Sequence, residues 1–158
     1  MARLLGLDLG SKTIGVALSD GLGLTAQGYT LIHRTSLERD IAALHTIISE
    51  HEVTTIVLGL PKMMNNTLGP QAIASQEFSE LLREQFGVHV VLWDERLTSV
   101  AANRMLKGRQ PAKRKQLVDV IAATLILDSY LSSSEFQRQN SSRSENSAQQ
   151  ESNDIARP

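Results

Sequence analysis

The chain opens with closely spaced apolar runs. Arg3 to Leu9 is apolar but for Asp8, Gly10-Ser11 breaks the run, and Ile14 to Leu18 resumes it. The break is short enough for a hairpin. Asp20-Gly21 signals a second turn, and Gln27 to His33 reads as a third, more polar strand. Strands in succession joined by tight turns predict antiparallel pairing. The period then changes. Thr35-Ser36-Leu37-Glu38 fits a capping box, and Leu37, Ile41, Leu44 and Ile48 recur on one helical face up to about His51. Val53 to Gly59 is a β-branched run of buried-strand type, and Leu60 to Gly69 is a loop. Pro70 and Gly87 bracket a second helix, with Ala74, Phe78, Leu81 and Leu82 as its buried stripe. Val88 to Trp93 predicts a fifth strand. Beyond it the pattern predicts a short helix from about Thr98 to Lys107 and a basic loop over Arg109 to Lys115. A final helix over Gln116 to Ser132 is expected to bury Leu117, Val118, Ile121, Leu125 and Tyr130.

This order is a meander followed by right-handed crossovers. It predicts an α/β fold with a mixed five-stranded sheet, three antiparallel strands then two parallel ones, flanked by helices, with strand one central. Such sheets bind ligands at the carboxyl ends of their parallel strands. From Ser134 to Pro158 the composition shifts to Ser, Gln, Asn and charge, with only Phe136 and Ile155 as large apolar residues. Such a stretch cannot offset its ordering entropy. The expected organisation is one domain over residues 1–133 and a disordered polar tail over 134–158.

Composition narrows the class. The 158 residues suit one domain, and 16 Lys+Arg against 17 Asp+Glu exclude a globally basic coat protein but not a local basic patch. With 0 Cys, disulfides, thiolate metal sites and cysteine catalysis are excluded. No apolar run approaches the ~18 residues of a membrane span. Asp8 comes too early for the apolar region of a signal peptide. A soluble, cytoplasmic protein with no membrane partner is expected.

The carboxylates are more telling. Asp8 sits late in strand one between Leu7 and Leu9. Aspartate is depleted from strands and costly to bury unpaired, although an Asp before Gly-Ser also suits a strand-end turn. Asp94 and Glu95 end strand five, parallel to strand one, so one of them projects toward the same crevice; a plain strand terminus paired with Arg96 is the alternative. Asp119 lies in the last helix, one turn after Lys115 and beside Ala122 and Ala123, whose small size allows close approach to the sheet. An ion pair with Lys115 is its alternative role. Asp128 points elsewhere on the helix and reads as solvated. If these acids converge, they cannot all stay ionised unless a cation lies between them. Carboxylate oxygens suit Mg²⁺ or Mn²⁺, and two such ions ~4 Å apart favour in-line displacement at phosphorus. Phosphodiester hydrolysis is the natural chemistry.

Two further features fit a phosphodiester. The run from Arg96 to Val118 holds Arg96, Arg104, Lys107, Arg109, Lys113, Arg114 and Lys115 and no acid. A solvated basic loop would look the same, but in a neutral domain the asymmetry suits phosphate contact. The near absence of aromatics there favours duplex or structured nucleic acid held by its backbone over stacked single strands. The loop from Leu60 to Pro70 offers Asn65, Asn66 and Thr67 to phosphate or sugar. His33, His45, His51 and His89 are scattered and receive no role.

The run Gly6-Leu7-Asp8-Leu9-Gly10-Ser11-Lys12-Thr13-Ile14-Gly15-Val16-Ala17 resembles the opening motif of the YqgF/RuvX family, bacterial Holliday-junction-resolvase-like proteins assigned to pre-16S rRNA cleavage. Gly59-Leu60-Pro61 with Asn65, Thr67 and Gly69-Pro70 resembles its second motif, and Asp94-Glu95-Arg96-Leu97-Thr98-Ser99 its third. Lys113-Arg114-Lys115 followed by Asp119 and Ala122-Ala123 resembles its fourth. The resemblance spans about residues 3 to 132. It implies a ribonuclease-H-like fold and a metal-dependent nuclease acting on the 5′ end of 16S rRNA precursor. Asp8, the acid at Asp94 or Glu95, and Asp119 would be catalytic. Asp8, Glu95 and Asp119 would hold two Mg²⁺ or Mn²⁺ ions, Glu95 being favoured over Asp94 for its reach. Lys12, Asn65, Thr67, Arg96, Lys113, Arg114 and Lys115 would contact the nucleic acid. Asn66 departs from the glycine common before the Thr of the second motif, a change the turn tolerates because Asn adopts left-handed backbone.

The implied partner is structured RNA, pre-16S rRNA, or branched DNA, bound by a monomer or homodimer. A junction resolvase and a non-catalytic ribosome-assembly module on the same scaffold are the alternatives. Asp8-Leu9-Gly10-Ser11 also matches the first phosphate loop of sugar kinases and actin. That class needs a second phosphate loop and a second domain, which 158 residues are not expected to supply.

Overall fold

The computed structural model describes residues 2–61, 68–94, 111–133, 136–143 and 145–146, and of 111–116 the backbone alone. The chain forms β1 (Arg3–Leu9), β2 (Thr13–Ser19), β3 (Ala26–His33), α1 (Leu37–Glu50), β4 (Val53–Leu60), α2 (Pro70–Phe86), β5 (His89–Asp94) and α3 (Pro111–Leu131). One sheet runs in the order β3-β2-β1-β4-β5. β2 pairs antiparallel with β1 and with β3, whereas β1–β4 and β4–β5 are parallel. This is the expected mixed five-stranded sheet with strand one at its centre. The crossover through α1 brings β4 back beside β1, so the carboxyl ends of β1, β4 and β5 share one edge.

Side-chain alternation gives the sheet two different faces. Leu5, Leu7, Ile14, Val16, Leu18, Ile56, Leu58 and Val90 form one, packed on Leu44, Ile47 and Ile48 of α1 and Phe78 and Leu82 of α2. Ala17 and Val57 belong to the other, where they meet Ala123, Ile126, Leu127, Tyr130 and Leu131 of α3. The helices flanking the first face carry local signals. Pro70 starts α2, and Gly87 ends it in left-handed backbone at φ 63°.

Several local expectations are corrected. The cap of α1 is Ser36, whose hydroxyl accepts from the Arg39 amide at 3.2 Å, so the capping box beginning at Thr35 is one residue out of step. Leu37 is consequently 51% exposed, and Asp40 takes a place on the buried face with Leu44, Ile47 and Ile48. In α2 the buried stripe passes through Ala72, Ser75, Phe78, Ser79 and Leu82, while Ala74 is exposed. The last helix begins at Pro111 rather than Gln116. Proline pre-sets helical φ in a first turn, so Lys113, Arg114 and Lys115 are helical rather than part of a loop. Its deepest residues are Ala122, Ala123, Ile126, Leu127, Tyr130 and Leu131, and Leu117, Val118, Ile121 and Leu125 are only half-buried. Residues 136–143, within the stretch expected to be a disordered tail, are helical, and Phe136 rests on Tyr130 with ring centroids 5.4 Å apart. That one aromatic anchors a segment whose composition alone argues against order. The short helix expected over Thr98 to Lys107 lies outside the described residues. Among the described residues no single helix is long and apolar enough to cross a membrane.

Candidate active site

The path of α3 is set by glycines beneath it. A Cβ on Gly15 would lie 1.9 Å from the Asp119 carbonyl oxygen. One on Gly6 would lie 2.7 Å from the Ala123 carbonyl oxygen and 2.8 Å from Leu127 Cβ, and one on Gly28 would lie 2.9 Å from Val120 Cγ1. These contacts are too short for any side chain. The helix backbone therefore rests directly on β1 at Gly6 and on β2 at Gly15, while at Gly28 of β3 the Val120 side chain fills the space.

That approach brings the acids together. Asp8 is the register partner of Gly15. Partners in an antiparallel pair face the same side, with Cβ positions about 5 Å apart. Asp8 therefore rises beside the point where the Asp119 backbone lands on Gly15. Both aspartates are half-buried. Asp94 ends β5 opposite Leu60, in the phase of Val90 and Leu92, which pack on the α1/α2 side. Asp8 is in the opposite phase, shared with Gly6 and matched on β5 by Val91 and Trp93. Glu95, Arg96, Asn65 and Thr67 lie outside the described residues. Lys12 is exposed at the tip of the β1–β2 hairpin. Lys113, Arg114 and Lys115 stand in the opening turns of α3, their side chains outside the described residues.

Two further residues enter the site, neither of which the sequence reading singled out. The Thr13 hydroxyl donates to Oδ2 of Asp119. The hairpin presenting it is closed by the Gly10 amide donating to the Thr13 carbonyl at 2.8 Å. Arg34 grips that hairpin twice. Its amide donates to the Lys12 carbonyl at 2.8 Å, and its Nη1 donates to the Gly10 carbonyl at 2.8 Å. Its Nε donates to Oδ2 of Asp40 at 3.0 Å. Nothing in local spacing ties position 13 to position 119. Asp40 was the readable flag, since an acid at i, i+4 and i+7 with Leu44 and Ile47 demands a cationic partner.

The site thus offers hard oxygen donors on two elements, at the edge where the parallel strands end. Such donors fit a hard divalent cation. Among the described residues no third His, Asp or Glu joins them closely enough to complete an ion site.

Known proteins are similar to this chain. The chain matches the family model described as "RuvX: Holliday junction resolvase" over residues 2–133. A protein of Myxococcus xanthus (strain DK1622) named "Putative pre-16S rRNA nuclease" is 56% identical over 131 residues, covering 82% of this chain and 87% of that protein. One of the same name from Clostridium botulinum (strain Hall / ATCC 3502 / NCTC 13319 / Type A) is 52% identical over 133 residues, covering 83% and 97%. Among solved structures, the Fowlpox virus resolvase with its substrate Holliday junction DNA matches at a TM-score of 0.51 and 12% identity, over 82% of this chain and 96% of that one. This last likeness is one of fold, and the fold is ribonuclease-H-like.

Proposed function

The chain belongs to the RuvX family, and from that premise we propose that it is a metal-dependent nuclease that hydrolyses phosphodiester bonds in structured RNA, cutting near the 5′ end of pre-16S rRNA. The observation that carries this reading is the landing of Asp119 on Gly15, beside Asp8, at the carboxyl edge of the parallel strands. Asp8, Asp119 and Glu95 would hold the ions. Phase counts against Asp94, which shares the α1/α2 side with Leu92. Bound Mg²⁺ or Mn²⁺, as one ion or two, supplies Lewis-acid activation of water and neutralises charge developing at phosphorus.

The remaining residues orient the substrate. Lys12 at the hairpin tip would hold backbone phosphate, with Arg96, Asn65 and Thr67 from the segments that follow β5 and β4. Lys113, Arg114 and Lys115 lie at the N-terminal end of α3. Cations there oppose the helix dipole and do not stabilise the helix. They reinforce the positive end at which an anion would bind, which supports a role in holding phosphate.

The test is cleavage by purified wild type and Asp8→Asn of a 16S precursor 5′ end and of a four-way DNA junction, in Mg²⁺ and Mn²⁺. Wild type is expected to cut the RNA only with divalent ion, and Asp8→Asn to fall to background while still binding it. Equal cutting by both proteins removes Asp8 from the mechanism. Preference for the junction moves the substrate to branched DNA. RNA binding with no cleavage of either substrate leaves an assembly module.

A further inference from the structure

We propose that Arg34 is a positioning residue for the acid pair: by clamping the β1–β2 hairpin it fixes the Thr13 hydroxyl, which sets the orientation of the Asp119 carboxylate toward a divalent cation. The proposal rests on the metal-dependent reading above and adds to it a clamp that no metal ligand belongs to.

The β1–β2 ladder reaches Leu9 and Ile14, and the hairpin tip lies beyond it. Its own closing bond is Gly10 amide to Thr13 carbonyl at 2.8 Å. The carbonyls of Gly10 and Lys12 both end on Arg34, at 2.8 Å from Nη1 and from the Arg34 amide respectively. Arg34 is in turn fixed by Asp40, whose side chain is 3% exposed and whose Oδ2 lies 3.0 Å from Nε. The Thr35 amide adds a longer bond to Oδ1 of Asp40 at 3.4 Å. The planar guanidinium serves the carboxylate and the carbonyl with two different nitrogens in a fixed fork, which a lysine ammonium cannot reproduce. Because its charge is matched by Asp40, Arg34 is poorly suited to holding phosphate; what it determines is where the hairpin sits.

The hairpin in turn decides Asp119. The terminal torsion of an aspartate is broad, so a single hydrogen bond can select the orientation of its carboxylate. Thr13 supplies that bond to Oδ2. Gly10 keeps the tip tight, since a Cβ there would lie 2.9 Å from the Thr13 carbonyl oxygen. Groups behind a metal ligand that fix its orientation change metal affinity by about 10–100-fold when removed.

The experiment is Mn²⁺ binding to the full chain, read from the electron paramagnetic resonance of free Mn²⁺, with urea unfolding of every variant. Thr13→Val is expected to weaken binding by about tenfold, and Thr13→Ser, which keeps the hydroxyl, to restore it. Replacing the pair together, Arg34→Met with Asp40→Leu, removes both charges at once and avoids stranding the buried one. That double variant is expected to weaken binding several-fold, and adding Thr13→Val to it should cost little more, because both act through one hydroxyl. If the double variant does not fold, Arg34→Lys is read in its place, with the same loss expected. A folded Arg34 variant that binds Mn²⁺ as wild type does, while Asp8→Asn does not, overturns the proposal and leaves the metal-dependent reading standing. Failure of wild type to bind Mn²⁺, or an Asp8→Asn variant that binds equally well, removes that reading and the proposal with it.

Discussion

Leu5 and Leu7 on one side of β1 are fully buried under α1 and α2, whereas Gly6 and Asp8 on the other side lie against α3. The same strand therefore serves two purposes. The first face buries large aliphatic side chains, each contributing about 1.5–3 kcal/mol. The second face gives up volume at Gly6 and Gly15, so that a helix backbone can touch the sheet. Apolar burial on this side is supplied by Ile126, Leu127, Tyr130 and Leu131, farther along α3. What is gained at the glycines is proximity, since only a helix without intervening side chains sets Asp119 down beside Asp8. Both faces are packed, and the candidate chemistry lies on the α3 side alone.

That division can be broken by substitution. The largest effect is expected from Gly15→Ala, whose new methyl would collide with the Asp119 carbonyl from 1.9 Å. Cleavage should fall to background, with a stability loss of about 1–3 kcal/mol from overpacking. Leu58→Ala on the opposite face should cost about 2–5 kcal/mol in urea unfolding. Its cleavage per folded molecule should nevertheless stay near wild type. Equal loss of activity in both variants would show that the two faces are not separable.

A smaller effect is expected where α3 begins. Neutralising Lys113, Arg114 and Lys115 together should weaken RNA binding and flatten its dependence on salt, reducing the slope of log K against log [salt] by about 2. An unchanged slope would place the phosphate contacts elsewhere on the acid-bearing face.

The smallest effect concerns an acid that needs no cation. Asp20 accepts from the Leu24 amide at 2.7 Å and the Thr25 amide at 3.2 Å across the β2–β3 turn. These backbone donors, Thr25 foremost, hold its carboxyl below the usual range. A group lowered on folding contributes stability above its unfolded pKa of about 3.9, and that contribution is lost as pH falls through the lower folded value. Asp20→Ala should therefore lower Tm slightly at neutral pH, lose that difference in strong acid, and leave cleavage untouched. A change in divalent-ion dependence would contradict the contrast with Asp8 and Asp119.

Much of this architecture is legible in the sequence because its signals are local. The alternation in β1 and β2, the β-branched run of β4 and the Pro70–Gly87 bracket of α2 each state an element within a few residues. The misread features involve distant partners. The cap at Ser36 turns Asp40 inward, and Arg34, arriving from the end of β3, makes a buried acid tolerable there. Residues 136–143 gain order through Phe136 on Tyr130, a contact that composition does not register. Asp8 and Asp119 stand out as candidates because acids are costly inside apolar runs, yet Thr13 has no such anomaly to mark it.

The sequence by itself determined the order of elements, the acids worth watching and the family, since periodicity, turn chemistry and motif spacing are properties of neighbouring residues. Only the tertiary structure decided that α3 settles on the glycines of the meander and that Arg34 and Thr13 stand behind Asp119. Those relations join positions far apart in the chain, and they exist only once the sheet register and the helix contact bring them within hydrogen-bonding distance.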